Sequence, residues 1–230
     1  MKDTESALLV SRLLSTPLFS SVDDHALAKL AAVSRLRRLS QGQTLFNQGD
    51  PADAFYLVYS GRIHLLLDSA NGRELVINEM QTGDGFGELG LITGQPRSTT
   101  AVAREDSVVM VIPRRDFMAV METQPGVARS LLQTTAARLG SSSEREGALA
   151  FLNAPSRLAR VLLLLDQRAS AEGYITLSQE ELARRVGLAR QTVASLMGKW
   201  RRSGWIITGR GKIVVLNRAA LRRQAQEDDG

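Results

Sequence analysis

The stretch Asp84–Val102, DGFGELGLITGQPRSTTAV, carries four glycines (85, 87, 90 and 94), one acid at Glu88, a Pro96-Arg97 step and three hydroxyl residues in a row, Ser98, Thr99 and Thr100. Glycines let a backbone approach a ligand closely, and a short turn with free N–H groups forms a concavity for an anion. An arginine and a serine arriving from the far side can hold a phosphate, the first through a charged fork and the second through one donor. Glu88 is out of place beside a phosphate unless it accepts from a sugar hydroxyl while the Arg97 charge favours its ionised form. Gly87, Glu88, Arg97 and Ser98, with Leu89 and Thr99 next to them, are the candidate ligand residues of this stretch. The plain alternative is a glycine-rich turn with a surface ion pair.

A second reading competes with the first. Gly85-Phe86-Gly87-Glu88-Leu89-Gly90 is a literal G-x-G-x-x-G, and Asp106 lies downstream where a ribose-binding acid could sit. A dinucleotide fingerprint needs a strand before it and a full helix after it. Here Pro96 and the strand-like run Ser98–Val102 follow at once. The match fails on context, and no catalytic base accompanies the glycines, so a nucleotide-using enzyme is the remote alternative.

Upstream, two helical segments carry Ala7, Leu8, Leu13 and Leu14, then Ala26, Leu27, Leu30 and Ala31, with Asp23 and Asp24 as an acidic first turn. Between Arg35 and Pro113 short β-rich runs follow one another: Thr44–Phe46, Phe55–Tyr59, Arg62–Leu67, Glu74–Met80, Thr99–Ala103 and Val108–Ile112. Asn71-Gly72 reads as a hairpin turn. Many short strands separated by turns predict a small antiparallel barrel or roll with the glycine stretch inserted between its later strands.

From Arg114 the period turns helical. After Gln124-Pro125 one segment runs to about Leu152, roughly 27 residues or about 40 Å at helical rise, too long to be covered by one small roll. Its apolar seam, Leu131, Leu132, Leu139, Leu149 and Leu152, predicts packing along a second copy, hence a homodimer. Gly140-Ser141-Ser142-Ser143 in its middle is a poor helix former. Hydroxyls there need partners, and Ser142 and Ser143 are candidates to bond the base edge of a docked nucleotide, one from each chain. A solvent-facing kink is the alternative.

Past the hinge-like Asn153-Ala154-Pro155, Ser156 reads as the cap of a helix with Leu158, Val161, Leu162 and Leu165 inward. Ser178-Gln179-Glu180-Glu181 is a capping box that opens a short helix, and Gly187 stops it. A second helix from about Ala189 to Arg202 turns Val193, Leu196, Met197 and Trp200 inward and Arg190, Gln191, Ala194 and Ser195 outward. Two short helices joined by a glycine turn make a helix-turn-helix, whose second helix reaches base edges with its N-terminal residues. Arg190, Gln191, Thr192 and Ser195 are the candidate base readers. Lys199, Arg201 and Arg202, with Arg210 and Lys212 on a β-wing over Trp205–Leu216, are candidate phosphate contacts.

The charge agrees with that division. The chain of 230 residues has a formal charge of +5, but Asn153–Gly230 holds 14 Lys and Arg against 7 Asp and Glu, whereas Met1–Leu152 holds 15 against 17. The polyanionic partner belongs to the C-terminal third. Zero cysteines exclude disulfides, thiolate nucleophiles and cysteine-held metals, and the two histidines, His25 and His64, lack metal-ligand spacing, so no metal is expected. No apolar run reaches membrane-spanning length and no signal peptide is read, which predicts a cytoplasmic protein without a membrane partner.

FGELGL followed after five residues by RSTTAV resembles the phosphate-binding cassette of the cyclic AMP receptor protein (CRP/FNR) family, and QEELARRVGLARQTVASLMGKWRRSGWI resembles that family's winged helix, so the likeness covers nearly the whole chain. The resemblance implies that Gly87 and Glu88 hold the ribose, Arg97 and Ser98 the cyclic phosphate, Ser142 the adenine amino group, and Ser143 the ligand of the partner subunit. It implies that Arg190 reads guanine. Ser142 stands where the family usually has threonine, and Gln191 and Ser195 stand where its best-known members have a glutamate and a second arginine. The fold expected is α+β: a cyclic-nucleotide-binding β-roll at 1–124, a dimerisation helix at 125–152 and a winged helix-turn-helix at 153–230. The function expected is a ligand-gated transcriptional regulator, not an enzyme. As a homodimer it would bind near-palindromic double-stranded DNA, with cyclic AMP as effector and RNA polymerase as a further partner. Cyclic GMP, cyclic di-GMP or no ligand are the alternatives for the same architecture.

Overall fold

The computed structural model describes residues 2–68, 74–169 and 173–226. The chain divides into two compact units, one formed by Met1–Asp68 and Val76–Leu139, the other by Ser69–Leu75 and Gly140–Gly230. In chain order the elements up to the long helix are α1 (Lys2–Leu14), α2 (Asp24–Val33), β1 (Arg35–Leu39), β2 (Thr44–Phe46), β3 (Ala54–Ser60), β4 (Arg62–Asp68), β5 (Glu74–Gln81), β6 (Gly85–Phe86), α3 (Glu88–Thr93), β7 (Thr100–Ala103), β8 (Ser107–Pro113), α4 (Arg114–Thr123) and α5 (Pro125–Phe151). The strands form two four-stranded sheets, ordered β1-β8-β3-β6 and β2-β7-β4-β5, with antiparallel pairing throughout the registered ladders. The hairpin turn read at Asn71-Gly72 lies outside the described residues.

β3 explains why the roll has two cores. Its sequence AFYLVYS is apolar at consecutive positions, which suits a strand buried on both faces. Ala54, Tyr56 and Val58 point between the sheets, where they meet Phe46, Ile63, Leu65, Phe86, Val109 and Val111. Phe55 and Leu57 point the other way and pack with Met110 and Ile112 of β8 against Leu13, Phe19, Leu27, Phe117 and Val127 of the helical layer. Phe55 stacks on Phe117 with ring centroids 4.1 Å apart and takes Phe19 edge-on at 6.3 Å. Truncating Phe55 to alanine is expected to cost about 3–5 kcal/mol, read as a lower denaturant midpoint of the first unit, because the ring is fully buried and its removal leaves a cavity.

The helical layer is pinned at its corners. Asp23 caps α2 by accepting from the Ala26 N–H at 2.9 Å, and its other oxygen accepts from Gln124 Nε2 at 2.6 Å. The Ala26 hydrogen bond is the main reason its carboxyl sits below the usual carboxylate range.

α5 departs from the expected seam in one respect. Leu131 is buried in the helical layer with Val127, four residues before it, so it faces its own unit. Leu132 and Leu139 are 70% and 68% exposed and share their stripe with exposed Ala136, so the open apolar edge begins one residue later than Leu131. A 3.6-residue period places 127 and 131 on one face and 132, 136 and 139 on the next, and only the packing decides which is inward. Leu152 is half-buried, and the side chain of Leu149 lies outside the description. Gly140-Ser141-Ser142-Ser143 lies within α5 rather than ending it.

The second unit contains α6 (Ala154–Arg168), β9 (Ile175–Thr176), α7 (Gln179–Val186), α8 (Arg190–Arg202), β10 (Ile206–Gly209), β11 (Lys212–Val215) and α9 (Arg218–Gln224). The cap of α6 is Asn153, whose side chain accepts from the Ser156 N–H at 3.0 Å, and not Ser156 as expected. Ser156 is instead buried inside the first turn and donates to the Gln224 carbonyl at 2.7 Å, tying α6 to α9. The wing has three strands, ordered β10-β11-β9. β9 is only two residues long, too short for any periodicity to announce it.

Candidate functional site

The glycine stretch folds as strand β6, a left-handed Gly87 with φ of 86°, the six-residue helix α3, a left-handed Gly94 and an extended run into β7; only the run into β7 is the strand the sequence predicts, while β6 and the short α3 are additions to it. Gly87 is required twice over. Its backbone conformation suits only glycine, and a Cβ there would lie 2.7 Å from Arg97 Nη1 and 3.2 Å from Tyr56 Cδ2.

Arg97 returns to that glycine from the far side. Its backbone is fixed to the loop before β3 by hydrogen bonds to Asp50 O (2.8 Å) and from Gly49 N (2.9 Å). The side chain is 2% exposed. Nη1 donates to the Gly87 carbonyl at 2.9 Å, and Nη2 donates to the Ala54 carbonyl at 2.7 Å and to Asp53 Oδ1 at 3.2 Å. The guanidinium lies 4.5 Å from the Phe46 ring centroid and 5.1 Å from that of Tyr56, a cation over two aromatic faces. Burial pushes the Tyr56 phenol up, against the opposing pull of the Arg97 charge.

Glu88 opens α3 and is 4% exposed. Its ionic partner is Arg138 of α5, with Nη1 to Oε1 at 3.3 Å, while Nη2 of the same arginine donates to the Gly85 carbonyl at 2.7 Å. The expectation that Arg97 supports Glu88 is thereby corrected: Arg97 pairs with Asp53, and Arg138, which no local sequence pattern marks, pairs with Glu88. Removing Arg138 as alanine would leave a buried carboxylate without its cation. A loss of about 1–3 kcal/mol is expected, discounted because the arginine is partly solvated; the double variant with Glu88→Gln should recover most of it in thermal melts.

Among the described residues, two buried polar atoms of this cluster have no partner: Glu88 Oε2 and Arg97 Nε. An unsatisfied acceptor and an unsatisfied charged donor in the same cluster fit a small ligand that brings both a hydroxyl and an anion. The other residues of the cassette are less committed. Ser98 is exposed, Thr99 is half-buried and Leu89 shows 47% of its surface. Thr100 is buried, and its hydroxyl accepts from the Gln48 N–H, a structural role. Ser142 is half-buried on α5, and the side chain of Ser143 lies outside the description.

In the second unit the expected helix pair is present. Ser178 and Glu181 form the reciprocal capping box at 3.2 and 2.7 Å, and Gly187 ends α7 in the left-handed region with φ of 65°. α8 buries Val193, Leu196, Met197 and Trp200, the last stacked on Trp205 at 6.1 Å. Arg190, Gln191, Ser195, Lys199, Arg201 and Arg202 are exposed, and Thr192 is half-buried. Arg210 is exposed on the turn between β10 and β11, whereas the Lys212 ammonium rests 4.0 Å above the Tyr174 ring.

A roll with an anion-ready cassette and a winged helix-turn-helix define a ligand-sensing, DNA-binding regulator. The cyclic nucleotide-binding domain model matches residues 36–124 and the Crp-like helix-turn-helix domain model matches residues 156–224. The cyclic AMP receptor protein of Thermus thermophilus is 31% identical over 206 residues, covering 90% of this chain and 95% of its own. A CRP-like cAMP-activated global transcriptional regulator of Mycobacterium tuberculosis is 29% identical over 215 residues, covering 91% and 96%. Among solved structures, the c-di-GMP responsive global regulator CLP of Xanthomonas campestris superposes with a TM-score of 0.76 at 25% identity, covering 84% of this chain and 99% of that one. The chain belongs to the CRP/FNR family: it is a CRP-like, cyclic-nucleotide-binding transcriptional regulator of α+β fold. Among the described residues no helix is long and apolar enough to cross a membrane.

Proposed function

We propose that the effector is cyclic AMP, held in the cassette of the first unit. The observation that carries this reading is the pair of buried, unpartnered atoms. Glu88 Oε2 would accept from the ribose hydroxyl, and Arg97 Nε–H would donate to a phosphate oxygen while its two Nη groups keep the fork oriented on Gly87, Ala54 and Asp53. Gly87 leaves the room, Ser98 adds a hydroxyl to the phosphate, and Leu89 and Thr99 border them. Ser142, with Ser143 from a second copy, would meet the base. The names of the relatives from Thermus and Mycobacterium support cyclic AMP.

The working form is a homodimer along α5, for which the exposed Leu132, Ala136 and Leu139 stripe supplies the contact. Residues 1–124 would then act as the sensor, 125–152 as the dimerisation helix and 153–230 as the DNA-binding domain. Two copies of α8 about 34 Å apart would enter successive major grooves of a near-palindrome. Arg190, Gln191, Thr192 and Ser195 would face bases, while Lys199, Arg202, Arg210 and Lys212 would lie toward phosphates. Such a protein would act in the cytoplasm, through RNA polymerase, and without enzymatic turnover. The effector must favour the DNA-competent dimer over the incompetent one, since equal affinity for both shifts nothing.

Cyclic di-GMP is the second reading, favoured by the described response of the Xanthomonas relative. Calorimetric titration with cyclic AMP, cyclic GMP and cyclic di-GMP separates them: heat with cyclic AMP at one site per chain is expected. Heat only with the dinucleotide removes cyclic AMP from the account.

A further inference from the structure

We propose that Gln191 is a base-selecting residue of α8 and that it selects adenine at the base pair next to the guanine met by Arg190. The inference rests on the DNA-binding reading above and adds the sequence preference to it.

Successive helical residues are about 100° apart and 1.5 Å along the axis. Arg190 and Gln191 therefore leave the first turn in well-separated directions but at nearly the same height on the axis, suited to two separate base pairs a short step apart rather than to one. Both are exposed, and among the described residues neither side chain has a hydrogen-bond partner inside the chain. Gln191, Ser195, Gly198 and Arg202 follow one another at i, i+4, i+7 and i+11, one stripe down the helix face away from the buried Val193, Leu196, Met197 and Trp200.

The chemistry of that stripe is distinctive. Between Arg190 and Lys199 no outward residue carries a charge: the series is Gln191, Thr192, Ala194, Ser195 and Gly198. Gly198 is not demanded by the fold, since a Cβ there would meet only Arg202 Nη1, at an ordinary 3.6 Å. A neutral, shallow stripe lets base edges come close, and its one side chain with both a donor and an acceptor at full reach is Gln191. The amide matches adenine, donating to N7 and accepting from the N6 amino group. A carboxylate at the same place could only accept, which suits the cytosine amino group instead. Ser195, one turn on, can donate or accept and so discriminates little. The half-site therefore carries one guanine and one adjacent adenine as its strongly selected bases, with the phosphate grip supplied from Lys199 onward.

The test is selection from a DNA pool randomised over both half-sites, using the full-length protein with and without cyclic AMP at one stated salt concentration. Direct affinities for the selected site with each of the four bases at the Gln191 position follow. The wild type should favour adenine there by about fivefold to a hundredfold. Gln191→Ala should lose that preference while keeping guanine at the Arg190 position, and Gln191→Glu should move the preference to cytosine. Identical base preferences in all three proteins would overturn the proposal while leaving DNA binding intact. Failure of the wild type to enrich any sequence would overturn the DNA-binding reading itself, and this inference with it.

Discussion

Replacing Arg97 with glutamine should weaken cyclic AMP binding by about a hundredfold or more, since a charge-assisted hydrogen bond is worth about 1.5–3 kcal/mol and the phosphate loses its counter-charge as well. The environment of Arg97 makes this the largest effect expected in the first unit. Its side chain is buried on Phe46 and Tyr56, and its Nη groups are already spent on Gly87, Ala54 and Asp53, so the orphaned Nε edge is what remains for a ligand. Arg97→Lys is no rescue, because an ammonium cannot span two carbonyls and a phosphate together. Both variants also leave backbone acceptors short of a donor, so a thermal melt must accompany the calorimetry. Glu88→Gln provides the contrast. It keeps the shape, replaces one carboxylate acceptor with a donor, and should weaken binding far less than the loss of Arg97.

The second large effect falls on DNA. Arg190→Ala should cost about 1–3 kcal/mol of discrimination at a single base pair, a bidentate guanine contact being the strongest base-edge interaction available to α8. Affinity for unrelated DNA should hardly change. Arg202→Ala should behave in the opposite manner, weakening all sequences alike and lowering the slope of log affinity against log salt by about one. Fluorescence anisotropy on the selected site and on a scrambled duplex, each at three salt concentrations, distinguishes the two. A uniform loss from Arg190→Ala would mean that this arginine grips phosphate and reads nothing.

What was legible in the chain was local. The capping box at Ser178–Glu181, the stop at Gly187 and the inward set Val193, Leu196, Met197 and Trp200 are short-range patterns, and the helices form where those patterns place them. Gly87 and Arg97 were likewise marked out by residue type and spacing. What escaped was decided by contacts between distant parts of the sequence. Arg138 meets Glu88 across 50 residues and Asp53 meets Arg97 across 44, and nothing near either acid announces its partner. Leu131 and Leu132 are equally apolar neighbours, and only the presence of the helical layer on one side buries the first and leaves the second exposed. Asn153 and Ser156 are both good caps by residue type, and Pro155 is at home in the first turn of the helix that Asn153 opens, so composition alone does not choose between them.

Ligand-gated DNA binding requires coupling between the cassette and α8. The direct measurement is the dissociation constant for a selected operator fragment with and without saturating cyclic AMP, at one salt concentration, for the wild type and for Arg97→Gln. At least about tenfold tighter binding by the liganded wild type is expected, about 1.4 kcal/mol of coupling, with no response in the variant. Equal affinity of the wild type in both conditions, or an undiminished response in Arg97→Gln, would contradict such coupling.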